Sequence, residues 1–256
     1  MTRDDRYSRF EYRRLIAWDE RIKREWPMLE RILGSAPSRR VLDLGSGTGE
    51  HARFLAGKGF EVTGIDASPS MIEKSAPETA AGNVRFILGD MREADKLVDG
   101  KFGAAICIGN ALPHLKEEGD LERFAAALRK VLLPGAPVLI QILNYDRIEA
   151  KQERALPVNF LPDHDDPSAS VVFLRLMELR PNGQVIFMPT TLKLRTDHDP
   201  PLELVSSQRV EIRGWRQAEI ERAFRNNGFS SIETFGAFDG AKFEPSESRD
   251  VILVAR

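Results

Sequence analysis

The sequence predicts an α/β fold built on a parallel sheet, and three observations carry that prediction. Strand-like and helix-like stretches alternate from residue 41 to residue 143, the order that gives βαβ units with right-handed crossovers. Val41-Leu42-Asp43-Leu44 runs straight into Gly45-Ser46-Gly47-Thr48-Gly49-Glu50, which reads as a buried strand, a glycine loop and a helix start. Phe102–Ile108 is apolar or small throughout, as a strand covered on both faces should be.

The elements follow in order. Leu15, Ile16, Trp18, Ile22, Trp26, Leu29, Ile32 and Leu33 recur near helical spacing between charged residues, so 7–33 reads as helix, with a break or kink at Pro27. Val41–Leu44 is the first strand, Glu50–Lys58 the first crossover helix, and Gly59 its stop. Val62–Asp66 is the second strand, and Ser68-Pro69 opens a helix running to Lys74. Val84–Leu88 is the third strand and Phe102–Ile108 the fourth. Leu121–Val131 is an amphipathic helix closed by Leu133-Pro134-Gly135, and Val138–Leu143 is the fifth strand. After Asn144 the pattern changes to three strand-like runs, Val171–Leu179, Val185–Leu194 and Leu204–Ile212, separated by Pro181-Asn182-Gly183 and Asp197–Pro201. This reads as a small antiparallel meander. A helix at Arg216–Asn226 and two closing strands, Ser231–Phe238 and Val251–Ala255, end the chain. One domain is therefore expected over 1–256, with an N-terminal helical cap (1–35), a cofactor-binding core (36–149 and 213–256) and an antiparallel lid insert (150–212).

The glycine loop indicates which ligand this sheet holds. Alternating glycines let backbone pass close to a ligand and take up positive φ. Asp66, at the mouth of the second strand, can accept both hydroxyls of an adenosine ribose. A pyrophosphate wants a helix N-terminus without other negative charge, yet Asp43 and Glu50 flank this loop. That pair suits a cation such as S-adenosylmethionine, with its ammonium and sulfonium. The spacing is glycine-x-glycine-x-glycine, not the glycine-x-glycine-x-x-glycine of dehydrogenases.

On these residues the chain resembles the class I S-adenosylmethionine-dependent methyltransferases. The resemblance implies a Rossmann-like seven-stranded sheet, six strands parallel and one antiparallel. It also implies that Asp43, Gly45, Ser46, Gly47, Gly49, Asp66, Ala67 and Met71 serve the cofactor, with Asp90 accepting the adenine amine and Met91 offering its backbone amide. Gly109-Asn110, then His114-Leu115, then Asn144-Tyr145-Asp146 resemble the glycine N-methyltransferase group of small-molecule enzymes. By that likeness Gly109 lies against the methionine part, and Asn110, His114, Asn144 and Tyr145 ring the transferred methyl. Arg21, in the segment before the first strand, is the candidate partner of the cofactor carboxylate. One departure stands out: an arginine precedes the Asn-Tyr-Asp triplet in that group, whereas this chain has Leu143. Glycine is therefore a poor expected acceptor, since a buried carboxylate there would lack its bidentate partner. Arg213 and Arg216 are the alternative anion partners.

Composition narrows the remaining classes. A formal charge of −2 over 256 residues leaves no basic footprint for nucleic acid or anionic membrane. No run is long enough to span a bilayer and no secretory leader is recognised. The single cysteine, Cys107, sits in an apolar run and cannot form an internal disulfide. A cytoplasmic protein is expected, of open oligomeric state. The acids around His164 are expected to be solvated rather than metal-binding. The favoured activity is methylation of a small-molecule amine nitrogen. Rival readings are O-methylation with His114 as base, an NAD(P)-dependent oxidoreductase, and a binding protein without catalysis.

Overall fold

The computed structural model describes residues 12–75 and 82–256; the expected helical start at residues 7–11 and the side chain of Tyr12 lie outside them. A 3-10 turn at Tyr12–Leu15 leads into α1 (Trp18–Gly34), then β1 (Arg40–Leu44), α2 (Glu50–Gly57), β2 (Glu61–Asp66), α3 (Pro69–Ser75) and β3 (Val84–Leu88). There follow α4 (Ala94–Leu97), β4 (Ala104–Cys107), α5 (Asp120–Val131), β5 (Val138–Leu143) and α6 (Tyr145–Ala150). The insert supplies β6 (Asn159–Pro162), β7 (Ser170–Leu179), β8 (Gln184–Leu194), β9 (Leu202–Ser207) and β10 (Val210–Arg213). The chain closes with α7 (Gln217–Asn226), β11 (Ile232–Phe235) and β12 (Asp250–Ala255).

Seven strands form the main sheet in the order β11-β12-β5-β4-β1-β2-β3. β12 runs antiparallel to both β5 and β11, and the other neighbours are parallel, so the expected six-plus-one sheet is observed. The chain leaves β1 for β2 on one side and returns to β4 on the other. Strand order therefore reverses at β1 and β4, and a ligand crevice opens at their carboxyl ends.

Each face of the sheet is covered. Met28, Leu29, Ile32 and Leu33 of α1 and Leu55 of α2 bury with Val41, Val62 and Ile106. Phe124 and Leu128 of α5 and Phe224 of α7 bury with Leu42, Leu44 and Ile140 on the opposite face. The expected break at Pro27 does not occur: α1 is one helix from Trp18 to Gly34. A mid-helix proline costs about 3 kcal/mol, and each of the four buried apolar side chains that follow offsets about 1.5–3 kcal/mol.

The insert departs from the expected three strands. β6 was not legible in the sequence, and the run Leu204–Ile212 divides into β9 and β10, both paired with β8. Pro189 is the reason. Its carbonyl accepts from Gln208 N, but it has no amide to return, so the ladder is interrupted there and resumes at Phe187. α6, directly after β5, was likewise not expected as a helix. Among the described residues, no helix is long and apolar enough to cross a membrane.

Candidate cofactor and acceptor site

The glycine loop is pinned to the end of β2. Gly45 N and Ser46 N donate to the Ile65 carbonyl at 2.8 and 3.1 Å. Asp66 Oδ2 accepts from Gly47 N at 2.8 Å, and its Oδ1 accepts from Ser68 N at 2.9 Å. One carboxylate thus orders the loop and the following turn together. Gly45 has φ +70, and a Cβ there would lie 2.5 Å from Cβ of Ala111, so the close approach of loop to the β4 exit requires glycine.

The loop floors a cavity of about 1810 Å³. Gly45, Ser46, Gly47, Asp66, Ala67, Met71, Asp90 and Met91 line it on the β1–β3 side. Gly109, Asn110 and His114 line it past β4, and Arg21 of α1 lines it from above. The far wall belongs to the insert and α6: Ile148, Leu156, Phe173, Phe187, Val210 and Ile212 among others.

Four residues expected at the site are not wall residues. Asn144 is fully buried and caps α6: its Oδ1 accepts from Arg147 N, and its Nδ2 donates to the Pro245 and Ser248 carbonyls at 2.8 Å. Both amide hydrogens are spent on backbone and the residue lies outside the cavity wall, where it caps a helix instead of bordering the acceptor space. Tyr145 is buried beside it, and its hydroxyl accepts from Asn110 Nδ2 at 2.9 Å. Burial pushes its phenol well above the ordinary value, which leaves it a prop for Asn110. Gly49 is the N-cap of α2, and a Cβ on it would strike the Phe86 ring at 2.4 Å. Asp43 lies behind the loop, 3 % exposed, with Oδ2 lacking a hydrogen-bond partner. Burial pushes its carboxyl up to about 6, with Asp66 and Glu50 adding to the rise and His51 and Arg21 opposing it.

The charge argument for the loop also needs correction. Glu50 is ion-paired with Arg53 at 3.0 Å and Arg13 at 3.1 Å and accepts from the Thr48 hydroxyl. Its charge is largely offset by these arginines, though it still adds to the rise at Asp43, so a preference for a cation would rest chiefly on Asp43 and Asp66. Asp90 caps the 3-10 turn Met91–Glu93 and accepts from Arg92 Nε at 3.0 Å, while remaining in the wall. Arg213 stacks over Trp215 at 3.9 Å and bonds Glu219; Arg216 pairs with Asp146 at 3.3 Å. Neither reaches the cavity, whose insert-side cations are Arg147, held by Glu153, and Arg175, bonded to Asn159 Oδ1 at 3.2 Å.

Sequence reasoning missed Gln141 and Glu25. Gln141 Oε1 accepts from Gly109 N at 2.8 Å and its Nε2 donates to Asp250 Oδ1 at 2.7 Å, which fixes the β4 exit. A glutamine inside the apolar strand Val138–Leu143 was the available signal. Glu25 is buried on α1 and takes Arg21 Nε at 2.8 Å and His51 Nε2 at 2.6 Å.

A sheet with this strand order and a glycine-floored crevice at its switch point defines a Rossmann-like fold of the methyltransferase type. Residues 41–135 match the methyltransferase domain family. The chain is 33% identical over 137 residues to the glycine/sarcosine N-methyltransferase of Parasynechococcus marenigrum, covering 53% of this chain and 49% of that one. It is 33% identical over 235 residues to the glycine/sarcosine/dimethylglycine N-methyltransferase of Actinopolyspora halophila, covering 88% and 37%. The chain thus spans half or less of the length of these relatives. The solved structure of CalS10, an amino pentose methyltransferase from Micromonospora echinaspora, shares the fold at TM-score 0.69 and 20% identity, covering 96% of this chain and 94% of that one. Residues 41–135 thus carry a methyltransferase domain, on a sheet of the class I methyltransferase fold, and these similarities support S-adenosylmethionine as the cofactor.

The residues present fit that cofactor. The loop at Gly47 (φ +55) has no atom within 4 Å of where a Cβ would stand. Asp66 stands at the mouth of β2, and the buried Asp43 supplies negative charge beneath the loop. Arg21, in the opposite wall, would supply positive charge for the cofactor carboxylate.

Proposed function

We propose that this chain transfers a methyl group from S-adenosylmethionine to an amine nitrogen of a small molecule. The observation that carries it is the continuity of one cavity from the Asp66-pinned glycine loop, past Gly109, to the Asn110 and His114 side chains and the insert. The N-methyltransferase relatives support nitrogen as the acceptor atom.

When bound, the cofactor supplies a methyl group already activated by a sulfonium charge. The protein has to hold donor and acceptor in line and keep water out, which can contribute ~7–11 kcal/mol. Asp66 would accept the ribose hydroxyls, Asp90 and Met91 would border the adenine, and Arg21 would take the carboxylate. Asn110 is held for the acceptor side: its Oδ1 accepts from Leu143 N at 3.0 Å while Tyr145 takes its amide. Residues 36–149 and 213–256 would act as the cofactor-binding core, 1–35 as its cap, and 150–212 as the lid that shapes the acceptor space. Leu143 lies in that wall, so glycine is disfavoured as acceptor and a less polar amine is favoured.

A neutral amine needs only an oriented lone pair, whereas an oxygen acceptor needs a base, and His114 is the wall histidine nearest Asn110 in sequence. The test is turnover of His114→Asn and His114→Ala with cofactor affinity measured in parallel. A modest loss is expected. A loss well beyond about a hundredfold with intact cofactor binding would replace the amine by an oxygen acceptor. Calorimetry with S-adenosylmethionine and a nicotinamide dinucleotide tests the class itself, and binding of the dinucleotide alone would overturn it.

A further inference from the structure

We infer that Glu25, anchored by His51, is a positioning residue that aims the Arg21 guanidinium at the amino-acid end of the cofactor. This rests on the proposed role of Arg21 at the cofactor carboxylate.

The geometry is specific. Glu25 is 2 % exposed in the middle of α1, where an unpaired carboxylate would be costly. Each of its oxygens has its own partner, Oε1 with Arg21 Nε one helical turn away and Oε2 with His51 Nε2 on α2. Arginine presents its donors as a rigid planar fork. With Glu25 on the Nε edge, the other end of the fork is directed at the β4 exit, where a Cβ on Gly109 would lie 3.1 Å from Arg21 Nη2 and 3.6 Å from Nη1. Trp18 fixes the plane: the Arg21 guanidinium sits 5.0 Å from its ring, and the same ring meets His51 edge-on at 5.7 Å. Burial pushes the Glu25 carboxyl up, but the His51 hydrogen bond and the Arg21 charge outweigh it and hold it below the ordinary value. Glu25 is therefore an anion at neutral pH.

Glu25, Arg21 and His51, on two helices, thus form one unit at the amino-acid end of the crevice. A ligand pair separates its role from simple folding. S-adenosylhomocysteine carries the amino-acid tail, and 5′-methylthioadenosine has the same adenosine and thioether without it. The geometry requires Glu25→Gln to weaken S-adenosylhomocysteine about tenfold, in the range of one charge-assisted hydrogen bond. Arg21→Ala should weaken it at least as much, the double variant no more than Arg21→Ala alone, and methylthioadenosine should bind all variants within about twofold of wild type. Unchanged S-adenosylhomocysteine binding in Glu25→Gln, with Arg21→Ala weakened, would overturn the positioning role and leave the cofactor assignment standing. Unchanged binding in Arg21→Ala would remove the assignment beneath it. Equal weakening of both ligands would show a general loss of the pocket and refute the inference. Should Glu25→Gln fail to fold, His51→Gln breaks the anchor from the α2 side and must give the same ligand-selective weakening, or the inference falls.

Discussion

Replacing Asp43 with Asn should stabilise the protein and weaken cofactor binding at the same time. Asp43 is buried, its Oδ2 has no hydrogen-bond partner, and its carboxyl is pushed from 3.8 up to about 6, by burial first. An acid with a raised folded pKa destabilises the fold at high pH, where the folded state holds a charge that the unfolded chain exposes to water. The penalty is complete above about 7, shrinks as pH falls through 6 and vanishes near 3.8. At 1.36 kcal/mol per pH unit it amounts to about 3 kcal/mol. Asn is nearly isosteric and uncharged, so urea melts near neutral pH should show a gain of about 1–3 kcal/mol, fading toward about pH 4. Binding runs the other way. A unit charge several ångströms from the ammonium and sulfonium is worth about 2 kcal/mol at an effective dielectric near 20. Calorimetric titration of Asp43→Asn should therefore show S-adenosylmethionine binding about thirtyfold weaker, and wild-type affinity should decline as pH falls below about 6. A variant that is less stable near neutral pH, or that binds the cofactor like wild type, would refute the electrostatic account.

Other substitutions probe separate parts of the site. Asn144→Ala removes the α6 cap and two hydrogen bonds to backbone carbonyls; denaturant melts should show a loss of about 2–3 kcal/mol, with cofactor affinity of the folded protein unchanged. Gly109→Ala places a Cβ 3.1 Å from Arg21 at φ +82, so about 1–2 kcal/mol of backbone strain should accompany a selective loss of S-adenosylhomocysteine over methylthioadenosine. Cys107 is buried, and burial drives its thiol far above the ordinary value; native-state alkylation should proceed only as fast as the protein opens, and rapid labelling would contradict the buried placement.

The order of the sheet was legible because its signals are local. A glycine loop after Val41–Leu44, the all-apolar fourth strand and the stop at Gly59 each depend on neighbours in the chain. The same holds for Asp66, whose place at the end of β2 puts it under the loop whatever the rest of the molecule does. The helix continues through Pro27 without a break because burial of Met28, Leu29, Ile32 and Leu33 outweighs a local penalty. β6 is four residues long, and its pairing with β7 alone makes it a strand.

What the sequence by itself determined is the chain's path through the sheet and the backbone of the cofactor loop, since period, glycine placement and turn chemistry are written in consecutive residues. Which side chains face the cavity was decided by tertiary structure. Asn144 and Tyr145 sit in a motif that resembles an active-site triplet, yet the carbonyls of Pro245 and Ser248 and the amide of Asn110 claim them first. Glu50 is silenced by Arg53 and Arg13, and Arg21 is turned toward Gly109 by a carboxylate that packs against a histidine 26 positions away. A polar side chain's role follows from the partners that reach it, and those partners meet only once the chain has folded.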